Sequence, residues 1–302
     1  MLDAIVWLIT GMWSGVAGFF IALVNLPTVL NFSEAENVMR VVFYGGSTEL
    51  FFFFFDVVLV IFIIGIFRPN FLWRVVAIFE GFGTRVGRIA AWAGLAMVLQ
   101  QILVVFLQSV FRVSEITVGP FGLDVTMSLG WWADGLKLYH GIIVTLCCAY
   151  TFNQKGHVRV DLVYAALGYK AKRLIDMFGA LVLMAPAMVI VWLYAWFFMW
   201  RHLMVPGVSA TDSLDGLLRK AAVFRWNVET TGPSPNGFNA FFLFKIFIVV
   251  FAGMMLIQAV AFFYRSFLEY REGEDSADKY LDHDRRLEEV EPDVSATPAQ
   301  AQ

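Results

Sequence analysis

The chain has 302 residues, of which 59% are hydrophobic and 16% charged, with 31 phenylalanines, 10 tryptophans and a formal net charge of −3. A soluble domain carries about 45–50% apolar and about 25% charged residues, so that class is excluded. The acidic excess sits after Glu269 and no basic stripe exists, which excludes nucleic acid as a partner.

Charges are bunched between long uncharged stretches. The expected fold class is therefore all-α: a polytopic membrane helical protein with about six transmembrane helices and interfacial amphipathic helices. In chain order the stretches cover residues 4–30, 50–67, 89–111, 131–152, 177–200 and 238–263. The first lacks the basic leader of a signal peptide and is too long for its apolar region, so it is expected to be a retained helix. The second contains Glu49 and Asp56 but offers no turn residues within Phe51 to Phe55, which favours a span over a re-entrant hairpin. Cys147 and Cys148 are neighbours on one helix, cannot bridge each other without strain, and are expected to be small apolar helix residues.

Basic residues mark the loops retained on the cytoplasmic side. The link after the second span carries Arg68, Arg74, Arg85 and Arg88, and the link after the fourth carries Lys155, Arg159, Lys170, Lys172 and Arg173. Both are expected to be cytoplasmic, with both termini on the same side. The loop 201–237 also holds Arg201, Arg219, Lys220 and Arg225, yet parity places it outside. The organisation expected is a two-span extension at 1–67, an interfacial linker at 68–88, a four-helix unit at 89–268 and an acidic tail at 269–302. The tail should begin helical and then become disordered.

Ionisable residues inside spans are costly and each calls for a partner. Asp134, Lys137, Gly141, Thr145 and Cys148 recur at steps of three and four, a small polar stripe suited to helix packing within the chain or against another subunit. Lys245, near the outer end of the last span, is placed to reach Asp134 or to snorkel. Glu49 with Asp56, and Gln101 with Gln108, complete a possible outer polar layer, read as structural pairing rather than an ion path. A bis-histidine haem needs two histidines at similar depth on facing helices, and His140, His157, His202 and His283 offer no such pair. No Walker, dinucleotide, HExxH or CxxC motif occurs, so no enzyme activity, metal or cofactor is expected.

The run Ala149-Tyr-Thr-Phe-Asn-Gln-Lys-Gly-His-Val-Arg-Val-Asp161 continues through Leu162-Val-Tyr164 to Lys172-Arg-Leu-Ile-Asp176 and Pro186. It resembles the signature of the small (DctQ-type) membrane subunit of tripartite ATP-independent periplasmic (TRAP) transporters, in which a span, a polar turn, a Gly-His-x-Arg-x-Asp stretch, an interfacial helix and the next span follow in order. Trp132-Ala-Asp134 is similar to that family's Trp-x-Glu, and Asn227 to Gly237, Lys245 and Gln258 resemble its last loop and helix. The likeness covers about residues 86–270. Gln108-Ser109 stands where many relatives have Arg-Tyr, and the first two spans lie outside the common unit.

The resemblance implies a scaffold subunit in a bacterial inner membrane. Its partners would be a large (DctM-type) permease and a periplasmic substrate-binding protein that delivers an organic acid for ion-driven import. In that family the substrate and sodium sites belong to the large subunit. His157, Arg159 and Asp161 suit a membrane-to-interface corner, with His157 and Asp161 one helical turn apart and Arg159 able to reach lipid phosphate or a neighbouring subunit. The alternatives are a membrane anchor of a cytochrome-type redox complex, a stand-alone carrier, or an assembly factor.

Overall fold

The computed structural model describes residues 2–29, 31–118, 125–154, 164, 167–205, 213–221, 225–226, 238 and 240–277. His157, Arg159 and Asp161, most of the 158–167 segment, the loop 227–237 and the tail from 278 onward lie outside the described residues. Within them the architecture is an all-α membrane bundle: six helices are long and apolar enough to cross a bilayer.

Helix α1 (Leu2–Val24) runs through a short turn of helix, α2 (Leu26–Val29), to an amphipathic α3 (Ala35–Gly45) and then to the apolar α4 (Thr48–Phe67). Glycine is what lets α1 approach α4: a Cβ on Gly11 would meet the Phe52 ring at 2.4 Å, and one on Gly15 the Phe53 backbone nitrogen at 2.7 Å. In lipid, where apolar surface gives helices no reason to associate, such close backbone contact is a principal source of packing energy. Ser47 caps α4 by accepting from the Leu50 amide at 3.2 Å.

Arg68 separates α4 from α5 (Pro69–Ser109). A residue before proline is pushed out of the helical region, and proline itself suits a first helical position, so the chain breaks and restarts there. The expected linker at 68–88 and the third span thus form one helix of 41 residues. At 1.5 Å per residue it is about 61 Å long, twice the hydrocarbon thickness, and a tilt of up to about 40° does not absorb the excess. Its first half, carrying Arg74, Glu80, Arg85 and Arg88, extends beyond the apolar slab.

An antiparallel ribbon, β1 (Glu115–Val118) with β2 (Val125–Ser128), joins α5 to α6 (Leu129–Asn153), where the sequence had given only a loop. Gly87 allows α5 and α6 to close, since its Cβ would fall 2.3 Å from that of Tyr150. After α6 comes α7 (Tyr169–Phe178), continuous through a π-helical segment at Gly179–Met184 with α8 (Ala185–Leu203). Pro186 lacks an amide proton and crowds the carbonyl four residues back; the widened turn, in which the Ala185 amide reaches Ala180 oxygen, accommodates it. A two-residue strand, β3 (Met204–Val205), pairs with β4 (Arg225–Trp226) across α9 (Leu214–Ala221), and α10 (Phe242–Glu272) closes the bundle. Glu269, read from sequence as the start of the tail, is inside α10 and fully buried.

Two apolar clusters sit at opposite ends of the antiparallel α7–α8 and α10 pair. Val38, Met39, Val42, Met204 and Leu217 bind α3, α9 and the end of α8 together. Leu72, Trp73, Val76, Tyr264 and Leu268 join the start of α5 to the end of α10, with Val58 and Phe62 of α4 packed alongside.

Candidate functional site

The polar chemistry of the described residues gathers at the second of these ends, as a ladder of ion pairs. The Arg265 guanidinium grips Glu80 through two bonds of 2.6 Å, Nε to Oε1 and Nη2 to Oε2. Its Nη1 also reaches Glu269 Oε1 at 3.4 Å. Glu269 Oε2 lies 2.8 Å from Arg173 Nε, and Arg173 Nη1 is 3.2 Å from Asp176 Oδ2, which also accepts from the Tyr164 hydroxyl at 2.8 Å. Arg265 stacks over Trp73 at 5.4 Å, while the Trp73 indole donates to Glu272 at 2.9 Å. The planar fork of arginine suits this bidentate and stacked use in a way lysine does not.

The ladder is buried: Arg265 is 5% exposed, Asp176 8% and Glu269 0%. Charges removed from water in this way need close partners, and here each of the three carboxylates faces a guanidinium of the same chain. Two side-chain amides extend the tie to the backbone of α5, Asn153 to Glu80 oxygen and Gln258 to Phe79 oxygen, both at 3.1 Å. A Cβ on Gly83 would strike the Gln258 amide nitrogen at 2.5 Å, so glycine is needed where that amide passes. The arrangement locks α5, α6, α7 and α10 together. Among the described residues no group of three His, Cys, Asp or Glu side chains could hold a metal.

The residues singled out in sequence occupy other places. Asp134 and Lys137 pair at 2.9 Å, one turn apart on α6, and Thr145 donates to Gly141 oxygen at 2.6 Å. Gly141 packs inward, its Cβ position 3.0 Å from the Phe244 ring of α10. The Lys245 ammonium lies 5.5 Å from the centre of the Phe198 ring. Gln101 and Gln108 are exposed, and it is their neighbour Gln100 that bonds, to Trp132 oxygen at 2.7 Å. Glu49 is exposed whereas Asp56 is buried, so the two acids that share a sequence spacing do not share an environment. Tyr44, at the end of α3, has its ionisation pushed up by burial first and by nearby Glu49 second. His140 and His202 each place Nδ1 near a carbonyl of their own helix, at 3.2 and 2.7 Å.

Sequence reading missed the ladder, because Glu80 and Arg265 are 185 positions apart and neither belongs to a motif. A usable signal was present: Arg265 and Glu269 are four residues apart on a helix whose preceding residues, Ile246 to Tyr264, carry no charge, so charges there call for partners. No family model matches the chain, and neither does any curated protein or solved structure.

Proposed function

We propose that this chain is the small membrane subunit of a TRAP-type secondary transporter, a scaffold for a large permease that imports an organic acid delivered by a periplasmic binding protein. The observation that carries the reading is the run Ala149 to Asp161, which resembles that subunit's signature and begins in the last turn of a span, α6, that ends at Asn153. Tyr169–Leu203, the helix that follows, has the Lys172-Arg-Leu-Ile-Asp176 and Pro186 positions in the order the resemblance requires.

The interior chemistry supports a supporting rather than a conducting role. The buried ion pairs are closed within the chain, and α5 and α10, which carry most of them, run unbroken, without the pair of interrupted half-helices that forms a midplane substrate site. Apolar side chains on α1 and on the second half of α5 are largely exposed, among them Trp13 at 77%, Ile89 at 73% and Trp92 at 71%, giving surface for lipid and for a large subunit. In this reading both termini are cytoplasmic and the α3–α9 end faces the periplasm, where the binding protein docks. The test is co-purification: a tagged chain should retain a large polytopic permease encoded beside it, and consistent failure to retain one in mild detergent refutes the proposal.

A further inference from the structure

Asp56 stands apart from every ion pair described above. It is the ninth residue of the 20-residue α4, about 12 Å from the helix start at 1.5 Å per residue, and so near the middle of a hydrocarbon slab of about 30 Å. The residue is 7% exposed, and neither carboxyl oxygen has a hydrogen-bond or ion-pair partner among the described residues. It follows Phe52 by one helical turn, on the side of α4 that meets α1 at Trp7 and Gly11. The hydroxyls of that helix are engaged elsewhere: Thr10 donates to Val6 oxygen and Ser14 to Gly11 oxygen, both at 2.8 Å.

We propose that Asp56 is an intramembrane proton-binding site, a neutral carboxylic acid enclosed by the α1–α4 hairpin. Burying an isolated ionised carboxylate costs far more than protonating it, and a carboxylate with no donor in reach therefore takes up a proton. A metal ion is a poor occupant, since among the described residues no cluster of further His, Cys, Asp or Glu ligands surrounds it.

Among the described residues, the titratable groups on the helices that pack against α4 do not supply a counter-charge. On α1 there is only Asp3, at its opening turn. On α3, Glu36 and Arg40 pair with each other at 2.7 Å, and Tyr44 is an acid rather than a cation at neutral pH. At the join and start of α5, Arg68, Arg74, Arg85 and Arg88 are exposed, and Glu80 is held by Arg265 of α10. Also on α10, Tyr264 donates to Val58 oxygen at 2.6 Å and Arg271 to Ile66 oxygen. Glu49, on α4 itself, adds only like charge. Loss of the proton would leave a charge facing hydrocarbon, so the contact between α1 and α4 depends on the site staying occupied.

The test is infrared difference spectroscopy on the full chain in lipid nanodiscs near neutral pH, comparing the wild type with Asp56→Asn. A protonated carboxyl has a carbonyl stretch that ionised carboxylates lack. The expected result is one such band, present in the wild type at a pH where free aspartic acid is ionised and missing from the variant. Asparagine is neutral and nearly isosteric, so the variant should fold, and its elution on size exclusion checks this. A second arm uses dicyclohexylcarbodiimide, which takes the carboxylic proton on nitrogen while the carboxyl oxygen bonds to its central carbon; the O-acylisourea then rearranges to a stable N-acylurea. Labelling located by mass spectrometry should fall on Asp56 and should not occur with a water-soluble carbodiimide. Identical spectra for the two chains, or equal labelling by the water-soluble reagent, overturn the proposal.

Discussion

Removing Arg265 should cost more than removing the acid it grips, and the reason is the charge count of the ladder. Three carboxylates, Glu80, Glu269 and Asp176, face two guanidiniums, Arg265 and Arg173. Glu80→Gln leaves two of each, and the glutamine oxygen still accepts from Arg265, so the loss is that of charge-assisted hydrogen bonds, about 1.5–3 kcal/mol. Arg265→Met leaves three carboxylates facing one guanidinium, with Glu269 fully buried, and breaking a buried pair in this direction costs about 3–5 kcal/mol. Because both changes weaken the same charge-assisted contact, the double variant should be less destabilised than the sum by about 2 kcal/mol. Equilibrium unfolding in mixed micelles, followed by helical circular dichroism across the four chains, measures all three quantities. The reasoning is refuted if the two changes add to within about 0.5 kcal/mol, or if Glu80→Gln is the more damaging.

The glycine contacts make a sharper comparison within one helix pair. Gly87→Ala places a methyl 2.3 Å from the Tyr150 Cβ and should lower thermal stability measurably, whereas Gly94→Ala, whose nearest neighbour is the Ile143 Cδ1 at 3.7 Å, should be neutral or better. Equal melting temperatures for the two variants would contradict the packing described for α5 and α6. At the other end of the bundle, the Trp196 indole donates to Val42 oxygen at 2.8 Å and the Trp192 indole to Gly45 oxygen at 2.9 Å, holding the last turn of α3. Trp196→Phe should cost about 1 kcal/mol and speed hydrogen exchange of the α3 amides selectively; unchanged exchange there would show that the indole does not hold the helix.

The spans were legible because a bilayer imposes a length and a polarity on any helix that crosses it, and runs such as residues 89–111 satisfy both without reference to anything else. Helix ends were harder. The 68–88 segment alternates Arg74, Glu80, Arg85 and Arg88 with apolar residues and so reads as an interfacial link, yet Leu72, Trp73 and Val76 bury a face against α10, which keeps the helix going. The stripe from Asp134 to Cys148 was visible as a periodicity, but only the structure shows that Gly141 on that face packs on Phe244. The ladder was least legible, since a salt bridge is a property of two sequence positions and an intervening fold. Asp56 was recognised as unusual from sequence, while its isolation from Glu49 depends on how closely the glycines of α1 admit α4.

The distance in sequence between Glu80 and Arg265 also sets a timetable for biogenesis. At about 5–20 residues per second, the 185 positions between them take roughly 10–40 s to synthesise. Glu80 is made at the start of that interval and Arg173 and Asp176 about midway, while Arg265 and Glu269, which complete the ladder, come only at its end. The α1–α4 and α5–α6 contacts can form before then, but the ladder that ties α5 and α7 together stays open until α10 arrives. The last span is the closing piece of assembly, and a chain truncated before Arg265 would present quality control with an unpaired acid and an open seam.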